Sequence, residues 1–306
     1  MNASSLDNRS QQESPLLSIL ILTYNDGKYL NGCLESIQKN VSCPFETILV
    51  HNGSPEPIPE GIEPRYPWLR IIHSQKNLGF NAGNNLAARN SQGKYILLLN
   101  VDTILLTDVL AVVEILESDP EIGVVGAQSS TTSGEIRPTT GRFPRAWRLW
   151  LFRRLWRKPV ESYPTKLGPA FRVDWVEGSF FMVRAADWKV LGGFDERNPL
   201  FGNDIDFCRA ATEHGLVVVH CPKVQYIHFG GYGVSRMSHL YAGFRGYHAK
   251  FSGPVERLLA NFILKAGLMV RILVYGLWYL VTRDHQVEDK WRKFSNVYKG
   301  WAQIAL

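Results

Sequence analysis

The sequence predicts an α/β fold: a mixed, mainly parallel sheet flanked by helices, with a helical extension at the C-terminus. Three observations predict it. Apolar runs such as Tyr95–Leu99 have no polar alternation, the pattern of strands buried on both faces. Segments with helical spacing separate those runs, as in a sheet built from βα units. Each run also stops abruptly in polar residues. Such stops gather along one crevice in open α/β sheets, where ligands bind at the carboxyl ends of the strands.

The first strand is Leu16–Thr23, running into the turn formers Tyr24-Asn25-Asp26-Gly27. Leu30, Cys33, Leu34 and Ile37 then repeat at helical spacing. Phe45–Val50 is the second strand and ends in His51-Asn52-Gly53-Ser54. A loop with four prolines leads to a short third strand, Leu69–His73. The stretch Asn77–Asn85 opens a helix through Leu86–Asn90. Lys94–Asn100 is the fourth strand, followed by a helix near Asp108–Glu117 and a strand at Ile122–Ala127. The strand-to-helix turns carry neither GxGxxG nor GxxxxGK[ST], which disfavours dinucleotide oxidoreductases and P-loop ATPases.

The chain has 306 residues and a net charge of +6, which points to an anionic partner such as a nucleotide, nucleic acid or membrane surface. Its four cysteines show neither metal-ligand spacing nor a disulfide framework and suit a reducing cytoplasm. Residues 1–15 are polar, without the apolar core of an export signal, and are expected to be a disordered leader. Asp102, where the fourth strand stops, is placed to hold a divalent metal against a diphosphate. The alternative is an Asp that ends a strand and caps the following helix.

LSILILTYN, VHNGS, NLGFNAGNN and LLLNVDT, in this order, resemble the nucleotide-sugar half of a family 2 glycosyltransferase with the GT-A fold. DWVEGSFFMVR, GGFDERNPLFGNDIDFCR and the late HFGG resemble its acceptor half. The pattern is similar to rhamnosyltransferase-like enzymes of bacterial surface polysaccharide assembly. The resemblance covers roughly Leu16 to Ser235. It implies a catalytic domain over 16–240, split into a nucleotide-sugar half (16–127) and an acceptor half (128–240), with a helical region at 241–306.

Glycosyl transfer needs a cation to neutralise the leaving diphosphate and a base to deprotonate the acceptor hydroxyl. The resemblance assigns the metal, Mg²⁺ or Mn²⁺, to Asp102 and His228. Family members often show D-x-D at Asp102; the first position here is Asn100. The base is Asp204, in Asn203-Asp204-Ile205-Asp206, where an acid in a first helical turn is also favoured by the helix dipole alone. Arg209 would organise the site or bind phosphate. Thr23, Tyr24 and Asn25 should meet the nucleobase and ribose, with His51 and Asn52 beside them. His51 stands where the family often has the Asp that contacts a pyrimidine. Asn77, Gly79, Phe80, Gly83 and Asn84 are expected to form a phosphate or ribose loop, its glycines allowing close backbone approach. The implied donor is a nucleoside diphosphate sugar, with dTDP-rhamnose favoured over UDP- or GDP-sugars, and the implied acceptor is a lipid-linked saccharide.

Two segments suit a membrane surface. Arg142–Lys158 holds seven basic residues, three tryptophans and no acid, and Leu149, Phe152, Leu155 and Trp156 can share a helical face. Leu258–Val281 is largely apolar, but Lys265 and Arg271 interrupt it. Its uncharged run Ile272–Thr282 falls short of the ~20 residues that cross a bilayer core. The residues leave open a helix on the membrane or one packed on the catalytic domain. Peripheral attachment at the inner face of the cell membrane follows from the first reading. Two other functions compete with a metal-dependent inverting transferase. One is a catalytically weak sugar-nucleotide-binding or scaffold protein, motivated by His51, Asn100 and Asn203. The other is a nucleic-acid binder resting on charge alone, disfavoured because no nucleic-acid module is recognisable.

Overall fold

The computed structural model describes residues 14–149, 168–197, 202–230 and 237–301. The chain begins with β1 (Leu17–Thr23), α1 (Gly27–Asn40), β2 (Phe45–Asn52), the single turn α2 (Ile62–Arg65) and β3 (Leu69–Ser74). Next come α3 (Gly79–Arg89), β4 (Tyr95–Leu99), β5 (Thr103–Leu105), α4 (Leu110–Ser118) and β6 (Ile122–Ser130). A second group holds β7 (Thr140–Gly141), α5 (Ala146–Leu149), β8 (Phe171–Val173), β9 (Trp175–Val176), β10 (Phe180–Arg184) and α6 (Ala185–Leu191). The chain continues through α7 (Asn203–Glu213) and β11 (Val217–His228) to α8 (Met237–Phe251), α9 (Pro254–Thr282) and α10 (His285–Lys299).

The main sheet runs β3-β2-β1-β4-β10-β6-β11-β5, with β8 also paired to β11. β3, β2, β1 and β4 are mutually parallel. β10 then enters antiparallel between β4 and β6. β6 and β11 pair in parallel, and β5 closes the edge antiparallel to β11. This is the mixed, mainly parallel sheet that the apolar runs predict. The three-residue β5 lies outside the sequence expectation, because so short a strand cannot display an alternation.

Both faces of the central strands are covered. Along β4, Tyr95, Leu97 and Leu99 pack into the core beneath α1 and α4, while Ile96 and Leu98 join the core on the opposite face with Phe181, Trp188 and Phe207. Period-two alternation therefore sends every residue of β4 into apolar surroundings, which is why the run has no polar member. Each such side chain contributes about 1.5–3 kcal/mol on burial. α3 lies close on β1 because Gly83 has no side chain: a Cβ there would sit 2.4 Å from Leu22 Cδ1. α6 ends where Gly192 turns left-handed, φ 79°. A third core joins α5, α8, α9 and α10.

Three expectations shift in detail. β2 extends through Asn52, so His51 and Asn52 belong to a strand. The helix expected through Leu86–Asn90 starts at Gly79, taking in most of the Asn/Gly stretch. The apolar tail forms one 29-residue helix, α9, with one face packed against its neighbours. Of the basic aromatic segment Arg142–Lys158, residues 150–158 lie outside the described residues, as do 1–13 of the leader. All four cysteines are free and buried.

Candidate active site

The carboxyl ends of β1, β2 and β4 meet the start of α7 and the end of β11 around one cleft of about 950 Å³. The strand-end side is built by asparagines. Asn52 is 2 % exposed. Its Oδ1 accepts from Leu78 N at 2.9 Å, and its Nδ2 donates to Asn77 Oδ1 at 3.1 Å. Asn77 Oδ1 also accepts from Gly79 N at 2.8 Å. These amides fold the entry to α3 and set Asn77, Gly79 and Phe80 along the cleft wall. Tyr24 stands at the same wall, 41 % exposed, with Asp26 and Tyr29 beside it.

Asp102 and His228 come together at the junction of β5 and β11. Thr103 pairs with His228, and Phe229 N donates to Asp102 O at 2.9 Å, tying the two backbones. His228 Nε2 lies 3.3 Å from Asp102 Oδ1 and 3.4 Å from Asn100 Nδ2, and its Nδ1 lies 3.7 Å from Glu177 Oε1. Arg137 holds the strand end from outside, donating to His228 O at 2.9 Å and to Gly230 O at 3.0 Å. Burial pulls the imidazole pKa down, but the hydrogen bond to Asp102 and the negative charges of Glu177 and Asp102 outweigh it, so the net direction is up.

Asp204 faces the same cleft from the first turn of α7. Its Oδ2 accepts from Gly178 N at 3.1 Å and its Oδ1 from Ile205 N at 2.9 Å. Burial pushes its carboxyl up to about 6; the two backbone donors oppose that, and the charge of Glu177 reinforces it. Asp206 points elsewhere and pairs with Lys250 at 2.7 Å. That divergence follows from two residues of helical rotation.

The structure thus brings Tyr24, Asn52, Asn77, Gly79, Phe80, Asn100, Asp102, Asp204 and His228 to one cleft. Six other candidates stand off it. Thr23 is buried and pairs in register with His51, so the two share a face. His51 packs edge-on against His73, ring centroids 5.4 Å apart, and lines a separate hollow with the proline-rich loop. Asn25, in a left-handed conformation at φ 58°, accepts from Ser54 Oγ at 2.9 Å and closes the β1 and β2 ends together. Gly83 faces Leu22, and Asn84 donates to Phe80 O within α3. Arg209 pairs with Glu213 at 3.0 Å and lies over the Phe143 ring. Glu177, Asp26, Arg137 and His239 line the cleft without having been singled out from the sequence. Glu177 stood in the VEGS motif, but nothing local marked it as a neighbour of His228.

The sequence profile described as glycosyl transferase family 2 matches residues 18–178, just over half of the chain. The chain belongs to glycosyl transferase family 2. It is 26% identical over 286 residues to an N-acetylglucosaminyl-diphospho-decaprenol L-rhamnosyltransferase of Mycobacterium tuberculosis, covering 84% of this chain and 93% of that one. It is also 26% identical over 235 residues to the O-antigen biosynthesis protein RfbC of Myxococcus xanthus, covering 70% of this chain and 17% of that longer one. Among solved structures, GalNAc-T7 with UDP, GalNAc and Mn²⁺ superposes with a TM-score of 0.61 at 12% identity, over 95% of this chain and 56% of that one. The mannosyltransferase PcManGT of Pyrobaculum calidifontis, in complex with GDP-Man and Mn²⁺, gives 0.58 at 15% identity over 95% and 87%. These likenesses show the GT-A fold. The glycosyltransferase family and the rhamnosyltransferase-like character read from the sequence are both met.

The donor set at Asp102 suits a divalent cation. Among the described residues, no group of three or more His, Cys, Asp or Glu side chains could hold a metal ion by itself. A carboxylate and an imidazole do converge, and Gly230 leaves the space beside them open: a Cβ there would lie 2.5 Å from Asp102 Oδ2 and 2.9 Å from His228 Nε2. Two protein donors with open positions are what a cation shared with substrate phosphates requires.

Proposed function

We propose that this glycosyltransferase moves a sugar, rhamnose from dTDP-rhamnose in preference to UDP- or GDP-linked sugars, onto a lipid-linked saccharide, with inversion and with Mg²⁺ or Mn²⁺. The setting is bacterial surface polysaccharide synthesis, with the protein peripheral at the inner face of the cell membrane. The observation that carries the reading is the convergence of Asp204 and the Asp102–His228 pair on one cleft, with Gly178 bonded to Asp204 and its neighbour Glu177 beside His228. The Mycobacterium relative's rhamnosyl transfer to a decaprenol-linked sugar supports the donor and acceptor choice.

A bound cation would neutralise charge developing on the leaving diphosphate. Asp102 and His228 would hold it. Asn77, Gly79 and Phe80 would flank the nucleotide along the strand ends, with Tyr24 offering a ring face to it. Asp204 would take the proton from the acceptor hydroxyl. A carboxyl raised to about 6 suits that task, being ionised at neutral pH yet basic enough to accept a proton. Gly178 N and Ile205 N fix its two oxygens, so the base is oriented before substrate arrives. One displacement, with base and leaving group on opposite sides of the sugar, inverts the anomeric centre.

Calorimetric titration with dTDP, UDP and GDP, each with Mn²⁺ and with EDTA, tests the donor half. Metal-dependent binding that prefers dTDP is the expected result. Equal binding with EDTA would remove the metal from the account, and no binding by folded protein would remove the transferase.

A further inference from the structure

The outer face of α9 is apolar along its length. Leu258, Phe262, Met269, Leu273, Leu277 and Leu280 are 73, 65, 47, 62, 64 and 60 % exposed. Their steps of four, seven, four, four and three residues place them on one side of a helix. Over 29 residues that side is about 43 Å long. It exceeds what scattered surface leucines produce and calls for an occupant.

One charge, the exposed Lys265, falls on this side, seven residues after Leu258 and four before Met269, and its long aliphatic stem can lie along the stripe; the other charged and amide groups of α9 lie off it. Arg271 is buried and donates to Gly267 O at 3.0 Å. Glu256 accepts from Ala146 N at 3.2 Å. Asn261 accepts from Arg245 Nε at 3.2 Å, and Lys265 Nζ lies 5.4 Å from the centre of the Tyr298 ring. The opposite face packs Ala260, Leu264, Leu268 and Tyr275 into the core shared with α5, α8 and α10. α9 is long and apolar enough to cross a bilayer. Crossing, however, would drag its partner α10 into lipid, and the α10 surface carries Lys290, Arg292 and Lys293 with Glu288 and Asp289. Such a cost excludes a spanning arrangement.

Charge selects the occupant. Residues 142–149 and 254–299 contain 11 of the 34 basic residues of the chain but only four of its 28 acids. The rest of the chain is close to neutral. α5, inside the first of these segments, packs on α9, and Trp147 beside it is 61 % exposed. A second copy of the chain seated on this stripe would bring two cationic margins together. An anionic lipid surface would neutralise them.

We propose that α9 lies in the plane of an anionic bilayer surface, with its outer stripe among the acyl chains near the headgroups and its inner face still packed on the protein. This deepens the membrane contact of the proposed function and rests on it. α8 packs against α9 and carries His239 to the cleft wall, so the seating places the cleft beside the lipid surface that would hold the acceptor.

The test is flotation of the purified full chain with phosphatidylcholine vesicles, with and without about a third phosphatidylglycerol, at low and at high salt, the salt dependence reading the cationic margin. The wild type should float with the anionic vesicles and be released by alkaline carbonate. Leu273→Glu with Leu277→Glu should weaken binding at least tenfold, and Leu273→Ala with Leu277→Ala should weaken it less. Nucleotide binding in solution is measured on the same variants. Its retention shows that they are folded and keeps a failure here separate from a failure of the transferase reading. Flotation of the Glu variant as wild type, absence of wild-type flotation, resistance to carbonate, or a stable dimer broken by the same substitutions would each overturn the proposal.

Discussion

The two sides of the cleft are built by different means. On the side proposed to hold the donor, strand ends supply the groups, and side-chain amides bond to one another: Asn52 and Asn77 hold the α3 entry before any ligand arrives. On the side proposed to meet the acceptor, a helix start supplies Asp204, and two backbone N–H groups hold it while burial raises its pKa to about 6. The donor wall is satisfied and rigid. The acceptor wall keeps a charged group in a place that disfavours charge. Recognition needs the first property, and proton abstraction needs the second.

The largest effect that would sharpen this contrast is at Asp204. Asp204→Asn should lower transfer by roughly 10²–10⁴-fold, measured with donor saturating. The melting temperature at pH 7 should be unchanged or higher, because the substitution removes a buried charge. A loss of transfer together with a loss of stability would show that Asp204 is structural. At the donor wall, Asp102→Asn should abolish the Mn²⁺-dependence of nucleotide binding and lower transfer by roughly 10²–10³-fold. Nucleotide binding that stays metal-dependent would remove Asp102 from the metal site.

The pH profile is a finer probe. Asp204 must be ionised to act, so kcat should fall tenfold per pH unit below about 6 and level off above it. The sign is fixed by burial: it raises the carboxyl, so the limb lies on the acid side, well above the ordinary Asp range. A limb near pH 4 would mean an unburied base.

The smaller effects concern packing. Gly83→Val should destabilise by about 1–3 kcal/mol by overpacking against Leu22, read in urea unfolding. If the variant instead weakened nucleotide binding at unchanged stability, Gly83 would belong to the donor wall. Arg65→Ala, which breaks an exposed pair with Glu35, should change stability by less than about 1 kcal/mol.

How far the sequence reached depends on how each group is placed. β4 was legible because all five of its residues are buried, so the apolar run and the stop at Asn100 both show in one dimension. Asp102, Asp204 and His228 were legible through the resemblance, and the structure brings them to one cleft. His51 was read beside Asn52 as one polar cluster. In a strand, neighbours point to opposite faces, so Asn52 meets the cleft and His51 turns to the proline-rich loop. The Asn/Gly stretch reads as a ligand loop because its glycines admit close backbone approach; Asn77, Gly79 and Phe80 line the cleft, whereas Gly83 serves the close packing of α3 on β1. Glu177 was invisible as a site residue because only the antiparallel insertion of β10 carries it to His228. The outer stripe of α9 was half legible: the apolar run could be seen, but which of its faces is covered is a property of the packing.

The most direct test of the central claim is a paired measurement on wild type and Asp204→Asn. Donor binding is followed by calorimetry with Mn²⁺, and transfer to a lipid-linked saccharide is followed by mass spectrometry of the product. The account predicts equal donor affinity and product from the wild type alone. Product formed by the variant at a comparable rate would contradict it.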